Sequence, residues 1–311
     1  MAALAAKRVA QSLGVLLLVL TLVFLVGRLI GDPAYVILGP ERLPEDYERL
    51  RGSLGLNDAL VVQYSDFITG AVVGDFGDSF WQKIPAFGLA LERLPATLYL
   101  AFTTLTLAVP LAIFVGSVAA WRPRSAFDRI VNVASLGGAS VVDFWLGLML
   151  ILLFAVQFGV LPTSGFDGPE FVVLPAMTLA LRPFGRIAQI TRSAMLDELA
   201  KPYVALARAK GLRESRVVFN DCLRNALIPI VTLGADEFLG LMNGAVVVET
   251  IFAWPGVGQL LIQAIERRDL PLVESAVFII AAVVVITNVL VDLAYLRINP
   301  SIRLPGARTG G

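Results

Sequence analysis

LPATLYLAFTTLTLAVPLAIFVGSVAAW, residues 94–121, runs for 28 residues without a charged side chain, bounded by Arg93 and Arg122. A helix needs about 20 such residues to cross about 30 Å of hydrocarbon, because lipid offers no partner to backbone N–H and C=O groups. The stretch therefore reads as a membrane-spanning helix. Hydrophobic residues make up 57% of the 311-residue chain before its 27 glycines are added, against about 45–50% with glycine included in soluble domains. Mean hydropathy is +0.78.

Five further spans follow by the same criterion. Val9–Gly27 is charge-free between Arg8 and Arg28, and Ile130–Phe158 contains only Asp143. Val172–Ile190 carries Arg182, Pro183 and Arg186; Ile228–Val248 carries Asp236 and Glu237; Leu272–Leu296 carries Asp292 near its end. Lys7 and Arg8 ahead of an apolar core resemble a secretion signal. The core is long for one, however, and the turn Gly31-Asp32-Pro33 stands where a small-residue cleavage site would be, so the segment reads as an anchor. The expected fold is an all-α membrane protein of six transmembrane helices.

Placing the N-terminus in the cytoplasm puts 17 of the 25 Lys and Arg inside, counting the inner half of the fourth span, and eight outside. That asymmetry sets orientation. Five acids (Asp128, Asp197, Glu198, Glu214, Asp221) fall inside and sixteen outside, counting Glu274 at the outer end of the sixth span. The chain then divides into a cytoplasmic N-terminus and first span (1–30), an extracytoplasmic segment (31–93), a five-helix core (94–296) holding a cytoplasmic loop (191–227), and a cytoplasmic tail (297–311). Within the outer segment, Pro44–Leu50 reads as a short amphipathic helix with acids in its first turn.

Composition removes much chemistry. Lys+Arg and Asp+Glu are both 25, leaving no basic surplus for nucleic acid. Histidine is absent, which excludes Ser-His-Asp triads and histidine-ligated zinc. The single cysteine, Cys222, excludes a disulfide framework. No GxxxxGK[ST] occurs, so the chain has no phosphate loop of that kind, and energy must come from a partner or an ion gradient. No cofactor or metal site is expected in this chain.

The loop 191–227 is better organised than topology requires. Pro202–Lys210 is Ala-rich helical sequence, Gly211 suits a helix C-terminus, and a second amphipathic stretch begins near Glu214. Ala205, Ala207, Arg208, Ala209, Lys210, Gly211 and Leu212 form a small-residue, basic surface at a tight turn, a shape suited to another protein's groove.

YVALARAKGL at 203–212, continuing to LRNALIP at 223–229, resembles the cytoplasmic signature loop of membrane subunits of ATP-binding-cassette importers, in the form carried by the dipeptide, oligopeptide and nickel permeases. GDPA (31–34), SLGLNDALVVQY (53–64), GDFGDSF (74–80), RLPATLYL (93–100), VVVETIFAWPGVGQLL (246–261), RRDLPLV (267–273) and DLAYLRINPSIR (292–303) resemble that family in the order of the first of its two permeases. The wider superfamily opens the loop Glu-Ala-Ala six residues before the glycine, where this chain has Ala205-Leu206-Ala207; its later Leu-Pro is displaced to Ile228-Pro229. The peptide-type branch shares both departures.

The resemblance implies a type I importer permease in the cytoplasmic membrane of a bacterium or archaeon, its cytoplasmic loop acting as a coupling helix. Partners would be a second homologous permease, two ATPase subunits that bind ATP-Mg, and an extracytoplasmic substrate-binding protein. Peptides are the family's default cargo, beside nickel chelates and oligosaccharides.

Ionisable groups within spans are costly and usually face a bundle interior or an aqueous path. Asp236, Gly240, Asn243 and Gly244 share one helical face, and Asn132, Ser135, Ala139, Asp143 and Gly147 another. Small residues at that spacing also mark helix packing, so both readings stand. The sharper one places Asp143, Asp236 and Asn243 on the translocation path, with Arg182 as counter-charge. Asp236 and Glu237 point about 100° apart and do not face one lumen together. Glu249, Trp254, Pro255 and Gly256 lie past the fifth span, where an interfacial turn with an aromatic anchor is expected; the resemblance makes this segment part of the outer gate and docking surface. The rival functions are an ion-coupled secondary transporter, which calls for an internal repeat that is not evident, and an intramembrane enzyme, which lacks a nucleophile with a recognisable base.

Overall fold

The computed structural model describes residues 2–30, 33–39, 43–53 and 55–298. The expected tail beyond Ile298, Gly31 and Asp32 of the expected turn, and the side chains of Asn243 and Asp292 lie outside them. The described residues are helical apart from turns and one isolated antiparallel bridge, Asp78 to Pro85. Among the described residues, four helices are long and apolar enough to cross a membrane: Ala10–Arg28, Ala86–Trp121, Pro169–Leu199 and Leu270–Val291. Two bent helix pairs raise the number to six if each pair counts as one span.

The chain forms two compact units, one from residues up to Glu92 together with those from Gln263 onward, the other Arg93–Ile262. In the first, α1 (Ala2–Ile30) packs along α13 (Leu270–Ile298) and against α4 (Leu60–Val73). An aromatic cluster fills the seam: Phe76 lies 5.3 Å from Phe278 and 6.0 Å from Phe67, and Phe67 lies 5.5 Å from Phe24. Thr21 Oγ1 and Tyr64 Oη share a 2.7 Å hydrogen bond. The opposite side of α1 leaves Leu13, Leu18, Leu22 and Leu25 about half exposed, as a lipid-facing helix would. The short helices α2 (Pro33–Leu38) and α3 (Pro44–Ser53) precede α4; α3 carries Glu45 and Asp46 in its first turn, where they complement the helix dipole.

The second unit is built around α8 (Val173–Leu199), which α6 (Ala126–Ser140), α7 (Asp143–Leu150) and α11 (Leu223–Ile251) all contact. Close approach depends on small residues. A Cβ on Gly185 of α8 would stand 2.6 Å from the Ser135 carbonyl of α6, and one on Gly116 of α5 (Ala86–Trp121) would stand 2.6 Å from the Ala188 carbonyl of α8. At one end of α8, Leu174 and Leu179 pack with Leu100, Phe252 and Trp254; at the other, Ile187 and Met195 pack with Val204, Val217 and Cys222.

The third expected span is two helices. Val141 and Val142 are extended, closing α6 and opening α7, which continues as a π-helix over Ile151–Gln157, and the two arms bend by 105°. The β-branched pair after Ser140 favours the extended backbone, and Asp143 complements the dipole at the N-terminus of α7. The stripe from Asn132 to Gly147 is therefore not one helical face. The fourth span extends through Leu199, so residues 191–199 are helix rather than loop.

Candidate functional site

The turn after α8 is held by a polar cluster. Glu198 accepts hydrogen bonds from Lys201 Nζ (2.5 Å) and Tyr203 Oη (2.9 Å), and Asn225 Nδ2 donates to the same hydroxyl at 3.3 Å. Burial pushes the Tyr203 hydroxyl well above the usual phenol range, so it stays protonated and able to donate. α9 (Pro202–Ala209) starts with proline at its first position, where the missing N–H costs nothing. It buries Val204 and packs Tyr203 and Ala207 against the core that α8 shares, which Leu212 joins from beyond the helix end. Gly211 has φ +74°, the left-handed backbone that glycine adopts without steric cost, and turns the chain into α10 (Glu214–Arg216).

Arg208 is tied to this turn. Its Nη2 and Nε donate to Glu214 at 2.6 and 3.1 Å, a bidentate pair across the glycine. What α9 leaves outward is Ala205, Leu206, Arg208 and Ala209, followed by Lys210 and Gly211. Leu206, 57% exposed, is the largest apolar side chain on that surface and was absent from the expected set, because the sequence signal there was small and basic residues.

Five ionisable side chains meet between α7, α8 and α11. Arg186 Nη1 lies 2.6 Å from Glu237 Oε1, and Arg186 Nη2 lies 3.6 Å from Asp236. Glu237 is buried, whereas the Asp236 side chain is 63% exposed. Asp143, Arg182, Arg186, Glu237 and Gly244 line one small cavity of about 30 Å³, room for about one water molecule. Of the expected path residues, Asp143 and Arg182 thus share this cavity, whereas Asp236 is not part of its lining and meets Arg186, which is. Glu237, an expected intramembrane acid not assigned to the path, and Arg186, which carried no expected role, supply its closest ion pair.

At the far end of α11, Glu249 is fully buried. It accepts hydrogen bonds from Thr97 Oγ1 at 2.6 Å, Gln259 N at 3.0 Å and the Gly258 amide. Thr97 Oγ1 in turn accepts from Val257 N at 2.9 Å. The first turn of α12 (Val257–Glu266) has amides with no intrahelical acceptor, and this carboxylate and hydroxyl satisfy them. Trp254 is 1% exposed, donates Nε1–H to the Ala96 carbonyl at 2.9 Å and stacks on Tyr99. The expected interfacial anchor is therefore a core residue, since its one polar atom finds a backbone partner inside the protein. Pro255 and Gly256 make the tight corner between α11 and α12.

Four helices long and apolar enough to cross a membrane, and two bent pairs that each add one more if counted as a span, mark the described residues as those of a helical membrane protein. The chain belongs to the family of binding-protein-dependent transport system inner membrane components, which it matches over residues 108–304, and residues 1–101 match that family's N-terminal region. A Brucella abortus (strain 2308) permease named for a peptide transport system is 40% identical over 312 residues, covering 97% of this chain and 99% of that protein. The glutathione transport system permease protein GsiC of Escherichia coli (strain K12) is 39% identical over 299 residues, covering 96% and 97%. The chain is thus an inner-membrane permease subunit of an ATP-binding-cassette importer. It is not itself an enzyme; ATP hydrolysis lies in separate subunits.

Proposed function

We propose that this permease forms half of a translocation path for short peptides. The carrying observation is its similarity, over nearly its whole length, to permeases named for peptide and glutathione transport. On this reading each bent helix pair is one span, giving six, with both termini cytoplasmic, as the Lys/Arg asymmetry favours. A second, homologous permease completes the path, and two ATPase subunits bind ATP-Mg inside. An extracytoplasmic binding protein delivers the peptide on the side of the Glu249–Gly256 corner. Docking outside and ATP binding inside together favour the outward-open state, and hydrolysis resets it.

α9 is the coupling helix. Its buried side fixes it to α8, so a push from an ATPase groove on Leu206 is carried into the span that lines the charge cluster. Purification of the tagged chain from its native membrane should bring down a second permease and an ATPase. Recovery of the chain alone, with uptake independent of ATP, would overturn the reading.

Asp143, Arg182, Asp236 and Asn243 are assigned to the path. An exposed Asp236 on a membrane helix is costly against lipid and is accommodated by an aqueous lumen or a partner permease. Asp143→Asn should lower peptide uptake about tenfold at unchanged ATPase activity, the equivalent of about 1.4 kcal/mol. Equal uptake of every peptide tested, whatever its charge, would remove Asp143 from the path.

A further inference from the structure

The first unit holds a cavity of about 520 Å³, within the usual range for a small-ligand site. It lies where two apolar spans end: Arg28 closes the span Ala10–Arg28, and Leu270 opens Leu270–Val291. Phe24, Phe76 and Leu270 form an apolar wall continuous with those helices. Against it stand two cations, Arg28 and Lys83, and two acids, Asp78 and Glu274.

Two local features give the cavity the character of a built site. Glu274 stands one helical turn inside its span, and no hydrogen-bond donor among the described residues reaches its carboxylate; Arg28 is its charge partner. A carboxylate at that depth without donors is costly, and a ligand that donates hydrogen bonds relieves the cost. The second feature is the overhanging turn. Ser79 N donates to the Ile84 carbonyl and Lys83 N to the Ser79 carbonyl, both at 2.9 Å, and Ala86 N to the Gly77 carbonyl at 3.0 Å. This turn holds Lys83 at φ +58°, a conformation that a side-chain-bearing residue keeps only when its surroundings impose it. Asp269 imposes it from the head of α13. Fully buried, it accepts from Ser79 Oγ at 2.5 Å and Trp81 N at 3.1 Å, while the Arg267 guanidinium stacks 3.4 Å over the Trp81 ring.

We infer that this cavity is a binding site for a zwitterionic aminophospholipid, with its phosphate among Arg28 and Lys83, its ammonium at Glu274 and Asp78, and its acyl chains against Phe24 and Leu270. Charges of both signs favour a zwitterion over a purely anionic head group. The depth, at the junction of span and outer segment, favours an amphiphile over a solute. A primary ammonium donates hydrogen bonds to a carboxylate and a quaternary one does not, so phosphatidylethanolamine is preferred to phosphatidylcholine. The inference is independent of what the importer carries.

The test is native mass spectrometry of the full-length chain released from nanodiscs of equimolar phosphatidylethanolamine, phosphatidylcholine and phosphatidylglycerol. The wild-type chain should retain phosphatidylethanolamine about tenfold over phosphatidylcholine, the scale of one charged hydrogen bond. Glu274→Gln should bring that ratio near unity while circular dichroism stays unchanged. Lys83→Ala should weaken both lipids together, since both carry the phosphate. Equal retention of the two lipids by the wild type, an unchanged ratio in Glu274→Gln, or preference for phosphatidylglycerol would overturn the assignment. Displacement of the lipid by millimolar dipeptide would also overturn it, by making the site one for a soluble zwitterion.

Discussion

Glu249→Ala should destabilise the permease by about 1–3 kcal/mol for each buried donor it leaves without an acceptor. The substitution takes the acceptor away from Thr97 Oγ1, Gln259 N and the Gly258 amide at once, in a place where no part of the side chain reaches solvent. It also empties the space into which Gly256 fits. A Cβ on Gly256 would fall onto the Glu249 carboxylate, so Gly256→Ala is expected to be damaging in the wild type for a steric reason alone. The two losses are coupled: with Glu249 truncated there is room for the methyl group, and the double variant should be no less stable than Glu249→Ala. Thermal unfolding of the three variants in one detergent measures this as a double-mutant cycle. Strict additivity would mean that the corner does not hold the geometry described. Thr97→Val, which leaves Val257 N without its acceptor, should cost about 1–3 kcal/mol.

Some of this architecture is legible in the chain and some is not, for physical reasons that differ by element. The run from Leu94 to Trp121 announces a span because lipid forces each segment to satisfy its own backbone; the helix there, α5, begins earlier, at Ala86. The break at Val141–Val142 is hidden, since two valines continue an apolar run whether the backbone is helical or extended. α4 is hidden for the opposite reason: its 14 residues are too few for a span, and its packing on α1 is a long-range contact. Trp254 looks interfacial from its neighbours, yet its hydrogen-bond partner Ala96 lies 158 residues away. Asp236 and Glu237 are adjacent, and only the approach of Arg186 from α8 distinguishes the buried carboxylate from the exposed one. The loop at 201–224 was legible as helix, glycine turn and helix, because Pro202 and Gly211 mark its bounds locally. Its outward leucine, Leu206, carries no such local mark, since the alanines on either side of it give no sign of which way it faces.

Leu206→Glu should reduce uptake more than about tenfold while leaving membrane insertion and folding unchanged. The side chain is 57% exposed and Val204, two residues earlier, is fully buried, so the two positions separate docking from stability. Val204→Ala should act through the fold, costing about 1–2 kcal/mol for the methyl groups withdrawn from the α8 core. Leu206→Glu places a charge where an ATPase groove would close on an apolar side chain, and central contacts of this kind lose about 2 kcal/mol or more when removed. Gly211 gives an internal control. No atom lies within 4 Å of the position its Cβ would take, and its φ is +74°. Gly211→Ala therefore bears only the backbone penalty, about 1–2 kcal/mol. Gly211→Trp bears the same penalty and adds a bulky group on the outward surface, so transport lost in Trp beyond that lost in Ala reports contact with a partner. ATP hydrolysis measured beside uptake completes the test: a docking role predicts that the Leu206→Glu complex hydrolyses ATP without moving peptide, or fails to assemble with the ATPase. Uptake equal to wild type in Leu206→Glu and equal loss in the two Gly211 variants would confine α9 to holding the cytoplasmic end of α8 in place.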